Sequence, residues 1–146
     1  MISFIVPGEP VLFAGSGSKD EFRVPPTRKR AYQAEISIIA SNAMGGEPPL
    51  AGPIEVTIRA EYVIPKSWPE KKKEVAVWKT TKRDADKIIK LCLEAMTKIV
   101  FADNAQVVSL SLKKVYGPHA RLLVSARELS RGDCALAGLL WIRRQT

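Results

Sequence analysis

Asp84-Ala85-Asp86-Lys87-Ile88-Ile89-Lys90-Leu91-Cys92-Leu93-Glu94-Ala95-Met96 is the run on which the fold turns. Ala85, Ile88, Ile89, Cys92, Ala95 and Met96, with Ile99 just beyond, recur at the spacing of one buried helix face. Asp86, Lys90 and Glu94 recur at i, i+4 and i+8 and define a second, polar face of the same helix. Upstream, Ile54-Glu55-Val56-Thr57-Ile58-Arg59-Ala60-Glu61-Tyr62-Val63 alternates apolar and polar residues, the pattern of a strand with one face buried and one wet.

The flanks extend this strand–helix unit in both directions. Ile2 to Val6 predicts a short strand that stops at the turn Pro7-Gly8-Glu9-Pro10. A glycine- and serine-rich connector, Ala14 to Pro26, follows; it lacks the spacing of a nucleotide phosphate loop. Thr27 predicts an N-cap for a helix over about residues 28–44, with Ala31, Ala34 and Ile38 on its inner face, joined by Tyr32, Ile39 and Met44. Alternation returns over Val107–Leu112 and Ala120–Ala126, and Tyr116-Gly117-Pro118-His119 between them predicts a hairpin. The order β-α-β-α-β-β makes this an α+β fold, a small mixed sheet with two main helices.

At 146 residues the chain is one domain's worth, long enough to bury about two-thirds of its unfolded surface without staples. Cys92 reads as a small core residue, and without a C-x-x-C pair neither a zinc site nor a disulfide framework is supported. No apolar run approaches the ~18 residues of a membrane span, and the start of the chain lacks a signal-peptide pattern, so a cytoplasmic location is expected.

The net charge of +8 points to a polyanionic partner, nucleic acid being the usual one. Candidate DNA contacts are Arg28, Lys29 and Arg30, which load a helix start where positive charge is unfavourable, then Lys66, Lys71, Lys72, Lys73, Lys79, Lys82 and Arg83. Trp68 and Trp78 lie among these lysines and read either as core or lid residues or as platforms for exposed bases. His119, alone in a turn, reads as a surface histidine.

Carboxylates among these cations are either surface ion pairs or ligands of a hard divalent cation. Asp84 and Asp86 share a first helical turn, and Asp103 follows the helix at a turn. Such a set, with Lys90 one turn on from Asp86, suits phosphodiester hydrolysis at Mg²⁺. A helix over 84–99 is about 24 Å long, however, so Asp103 does not easily meet Asp84 in one chain. A two-fold dimer with antiparallel helices would join one subunit's helix start to the other's helix end.

Three segments together, Arg83-Asp84-Ala85-Asp86-Lys87-Ile88-Ile89-Lys90, Glu94-Ala95-Met96 and Phe101-Ala102-Asp103-Asn104-Ala105-Gln106-Val107-Val108, resemble the RusA family of Holliday junction resolvases. The family pattern is a D-x-D-N-x-x-K helix, an acidic residue with Ala-Leu one turn later, then D-D-x-Q-V. Val6-Pro7-Gly8-Glu9-Pro10 and Lys113-Lys114 add to the likeness, which spans Ile2 to Ala126. It implies an endonuclease domain over residues 1–126 and a C-terminal extension, 127–146, of unknown role.

The resemblance further implies a homodimeric, Mg²⁺-dependent endonuclease of recombination and repair, with Mn²⁺ as a substitute ion. Its partner would be branched DNA, a four-way junction nicked symmetrically on two opposing strands, and its source bacterial, prophage or phage. Asp84 and Asp86 take the role of metal-binding carboxylates and Lys90 that of the catalytic lysine, with Asp103 and Asn104 completing the site. Two positions depart from the pattern: Lys87 replaces an Asn, and Asn104 stands where the family has a catalytic acid. Asn104 offers a carbonyl oxygen without charge. Either Asp103 takes over, or metal affinity falls, or the chain binds junctions better than it cuts them. The alternatives are a non-catalytic junction-binding protein on the same fold and a basic interaction protein with surface ion pairs.

Overall fold

The strand Ile54–Tyr62 (β2) organises the molecule, because it is an inner strand with neighbours on both sides. The computed structural model describes residues 1–10, 26–81 and 85–136. In chain order they form β1 (Ile2–Pro7), α1 (Pro26–Met44), β2, α2 (Glu70–Val75), α3 (Ala85–Met96), a 3-10 turn (Asn104–Gln106), β3 (Val107–Tyr116), β4 (Arg121–Glu128) and α4 (Arg131–Leu136). The fold is α+β, as expected, with a four-stranded mixed sheet. The expected order omitted the short helices α2 and α4, each six residues long, too brief to show a helical period.

The predicted hairpin does not form. The sheet order is β1-β4-β2-β3: β3 lies parallel to β2, while β4 inserts antiparallel between β1 and β2. Residues 117–120 therefore carry the chain over the end of β2, to its far side. Gly117 donates its amide to the Tyr62 carbonyl at 2.9 Å. A Cβ at Gly117 would lie 3.2 Å from the Glu61 carboxylate, so this crossing favours a glycine.

Ile54, Val56, Ile58, Ala60 and Tyr62 project from one face of β2 into the core, under α1 and α3. From α3 the core receives Ile88, Leu91, Cys92, Ala95 and Met96; Ala85, expected inside, is exposed. Burial pushes the Cys92 thiol up to about 12, which makes it an inert core group at neutral pH. From α1 the buried series is Tyr32, Ile36, Ala40 and Met44, a strict four-residue repeat. Ile38, expected on that face, is 62% exposed, and Ala31 and Ala34 are exposed too. Apolar residues occur all round α1, so periodicity did not choose the inner stripe. The helix α1 begins at Pro26, one residue before the expected cap Thr27.

The opposite face of the sheet carries the polar residues of β2. Its two acidic residues on β2 are both neutralised. Glu55 accepts from Arg127 Nε at 2.8 Å and Ser109 Oγ at 3.1 Å. Arg127 also reaches Asp133 on α4 at 3.0 Å. Asp133 accepts from the Ser130 amide at 2.6 Å and is held below the ordinary carboxylate range by that bond first, then by Arg127. These contacts tie α4 to the last strand.

Glu61 is 2% exposed, accepting from Arg121 Nε at 2.7 Å with Arg59 Nη2 at 3.1 Å. The Arg121 hydrogen bond holds its pKa below the ordinary 4.5. A depressed carboxylate pKa contributes stability above the unfolded value, lost as pH falls through the folded one. Chemical denaturation from pH about 6 to about 3 should show wild type losing more stability than Glu61→Gln.

Candidate active site at the carboxyl ends of the strands

Chain direction sorts the predicted site residues into two ends. β2 and β3 are parallel, and α3 runs back between them, so α3 starts at their carboxyl ends and finishes at their amino ends. Gln33 Nε2 donates to Glu94 at 3.1 Å and Ser37 Oγ to the Ala95 carbonyl at 2.8 Å. Residue numbers rise together along both helices, so α1 and α3 are parallel and Arg28, Lys29 and Arg30 lie towards the Asp86 end.

That end collects most of the predicted residues. Asp86 is exposed in the first turn of α3, and Lys90 is exposed one turn on, the two on one face. Lys90 Nζ stands 4.0 Å from Glu94, which also holds Gln33, so Glu94 restrains the lysine towards α1. Such an exposed pair contributes little to stability and mainly limits where the ammonium swings. Asp84, Lys82 and Arg83 lie outside the described residues.

Beyond β2 the chain builds a basic, aromatic shelf. Trp68 packs edge-on to Tyr116, ring centroids 5.3 Å apart. Lys72 Nζ lies 3.8 Å from the Trp68 ring centre, and Lys79 Nζ lies 4.8 Å from that of Tyr62 and 5.4 Å from that of Tyr116. Residues 77–79 run along the end of β3, where the Lys79 amide donates to the Lys114 carbonyl at 3.0 Å and Tyr116 to Val77 at 2.9 Å. Trp68 is thus a half-buried packing residue, whereas Trp78 is 60% exposed. Lys66, Lys71 and Lys72 are exposed; Lys73 pairs with Glu70 at 3.2 Å. His119 is exposed, the surface histidine expected.

Asp103 and Asn104 sit at the other end. α3 spans 12 residues, about 18 Å at 1.5 Å per residue, and Asp103 lies beyond its far end. Both residues are exposed. Asp103 N-caps the 3-10 turn: its Oδ1 accepts from the Ala105 amide at 2.9 Å. Within one chain, then, Asp86 and Asp103 do not converge. Among the described residues no three of His, Cys, Asp and Glu gather to hold a metal ion. Of the expected set, Asp84 lies outside the described residues, and Asp86 and Asp103 stand at opposite ends of α3.

Gln106 is the residue that reading for chemistry missed. Its Oε1 accepts from the amides of Ala102 and Asp103, both at 2.9 Å, and its Nε2 donates to the carbonyls of Leu50 and Gly52, both at 3.0 Å. One side chain thus completes a capping box and fastens the proline-rich linker, residues 47–53, to the turn beyond α3. The Asp-x-x-Gln spacing was the available signal. Gln106→Ala leaves four backbone groups short of a partner and should cost about 1–3 kcal/mol in denaturant unfolding.

No helix of the described residues is long and apolar enough to cross a membrane. Comparison with known proteins shows what the chain is similar to. A family model described as "Endodeoxyribonuclease RusA" matches residues 14–127. The chain is also 30% identical over 139 residues to the "Uncharacterized protein YqaN" of Bacillus subtilis (strain 168), covering 88% of this chain and 97% of that one.

Proposed function

Because the chain belongs to the RusA endodeoxyribonuclease family, we propose that it is a Mg²⁺-dependent endonuclease that resolves four-way DNA junctions by paired symmetric nicks. The supporting observation is the end of the molecule where Asp86 and Lys90 share one exposed helix face beside the cations of α1, α2 and Lys79. A phosphodiester seated there meets a carboxylate, an ammonium one helical turn away and a positive surround that holds the DNA arms. Lys90 offers its charge to the phosphate oxygens as negative charge accumulates during hydrolysis. Arg28, Lys29, Arg30, Lys66, Lys71, Lys72, Lys73, Lys79, Lys82 and Arg83 contribute the phosphate contacts, Lys72 and Lys79 also serving the aromatic shelf.

Asp84 and Asp86 of one subunit would hold the metal with help from the Asp103–Asn104 turn of a second subunit, since one chain does not bring these groups together. Residues 1–126 form the nuclease domain, and 127–146 an extension joined to it by Arg127, which reaches Glu55 of β2 at 2.8 Å. The setting would be the cytoplasm of a bacterium, in recombination and repair, on a host or prophage gene. Asn104 supports a second reading, a protein that binds junctions without cutting them.

A synthetic four-way junction with Mg²⁺ tests both. Paired nicks on opposing strands support the nuclease, and binding without nicks supports the second reading. Failure to bind the junction at moderate salt overturns both.

A further inference from the structure

Strand register sets a second group of side chains on the face of the sheet away from α1 and α3. Val56, Ile58, Ala60 and Tyr62 point into the core, so Thr57, Arg59 and Glu61 point the other way. In register with Arg59 stand Lys113 on β3 and Leu123 on β4, and beyond Leu123 stands Ile5 on β1. The next row across the sheet runs Arg121, Glu61, Val115. Directly opposed residues of paired strands share a face, so both rows lie on this side.

Trp78 extends the second row. The Lys79 amide donates to the Lys114 carbonyl and the Tyr116 amide to the Val77 carbonyl, which sets Trp78 directly opposite Val115 in an antiparallel pair. Trp78 therefore projects from the face of Val115, whereas its neighbour Lys79 turns to Tyr62 and Tyr116 on the helix side. Two backbone bonds fix its place, and its side chain is still 60% exposed. A fixed indole left in water is a flat apolar platform with nothing yet on it.

The charge around Trp78 is positive. Arg59, Lys113 and Arg121 share this end of the face with one carboxylate, Glu61, and three cations against one anion leave a net +2. Arg59 and Lys113 are both exposed. At the other end of β2, Glu55 and Asp133 together outweigh Arg127, so the positive field belongs to the carboxyl half. Beside Arg59 lies an open hollow of about 400 Å³, lined by Ser3, Ile5, Thr57, Leu123 and Ser125 among others. It joins an apolar surface to hydroxyls and a guanidinium, the mixture that takes a nucleobase and its phosphate.

We propose that this outer face binds single-stranded DNA. One base stacks on Trp78, and the backbone crosses Lys113 and Arg59. A following base enters the hollow over Ile5 and Leu123. Four-stranded sheets take about two or three bases in this way. A duplex fits poorly, because its base faces are stacked inside and only its phosphates meet the cations. The surface is separate from the Asp86–Lys90 face, which lies on the helix side, and its cations are not among those already assigned to the junction. That the strand is DNA follows from the family; the single-strand preference follows from the exposed indole.

Anisotropy of a labelled 12-residue oligo(dT), with the full chain at fixed low salt in EDTA, tests this. Trp78→Ala should weaken binding about tenfold, the loss of one stacked base, and Trp78→Phe should restore most of it. Lys113→Gln should weaken binding and lower the salt slope by about one. Both Trp78 variants should keep the far-ultraviolet circular dichroism of wild type. A 12-base-pair duplex should bind Trp78→Ala within twofold of wild type, and Asp86→Asn should leave the oligo(dT) affinity unchanged. Oligo(dT) binding that is absent in wild type, or unmoved by Trp78→Ala, overturns the proposal. So does an equal loss for oligo(dT) and duplex, which would make Trp78 a general support of the basic surface. Tighter binding of oligo(rU) than of oligo(dT) overturns the assignment to DNA. No readout depends on nicking, so this surface and the nuclease reading stand or fall separately.

Discussion

Asp86→Asn should abolish junction nicking, by about 10²–10³-fold or more, while leaving junction binding within a few-fold of wild type. The two outcomes separate because Asp86 is exposed and isosteric replacement disturbs no packing. On the proposed reading binding rests on phosphate contacts of many cations, so removing one negative charge from their midst should strengthen it slightly. Single-turnover cleavage alongside a binding isotherm, at fixed salt, reads both quantities. Asn104→Asp is the informative converse. If the missing acid limits the reaction, restoring it raises the nicking rate and lowers the Mg²⁺ concentration needed, and if Asp103 has assumed the task it changes neither. Equal nicking by wild type and Asp86→Asn would remove the carboxylate from the reaction altogether.

The largest loss of stability should follow Phe101→Ala, about 3–5 kcal/mol in equilibrium unfolding. Phe101 is among the largest fully buried side chains and joins the ends of three segments. Its carbonyl accepts from the Lys98 amide at 2.6 Å, and it bridges Leu50 and Thr97. Lys98 itself has φ of 68°, a left-handed residue that turns the chain sharply out of α3. Without the ring, that turn loses the contact that holds it, and Asp103, two residues on, loses its fixed place. Phe101→Leu, which keeps most of the volume, should cost markedly less and serves as the control.

Much of the scaffold was legible because single-strand and single-helix patterns are local. The alternation of Ile54–Tyr62 and the stripe Ile88–Cys92–Ala95–Met96 each follow from one element's geometry against a common core. Partnership between strands is not local. Val107–Tyr116 and Arg121–Glu128 alternate as any strands do, and nothing in either distinguishes pairing with each other from pairing on opposite sides of β2. Glu61 illustrates the same limit: its polar position in the alternation predicts water, and only Arg121, sixty residues away, makes it an interior group.

The placement of the candidate residues was legible to a similar depth. Helical spacing put Asp86 and Lys90 on one face of α3, and helix length alone separated Asp103 from them. That Asp103 would cap a turn, and that Gln106 would bind both that turn and the linker, depends on where Leu50 and Gly52 return in space.

The placing of β4 between β1 and β2 also governs how the chain comes to be folded. Among the described residues β1 has no strand neighbour except β4, so β1 waits for β4 before it enters the sheet. During translation, α1, β2, α3 and β3 can assemble while residues 2–7 remain unpaired and the inner edge of β2 stays open. Closure needs residue 128 to clear the ribosome, which makes the sheet complete late and slows it by long-range pairing. A chain stopped short of Arg121 would leave two strand edges exposed and should aggregate rather than persist as a smaller domain.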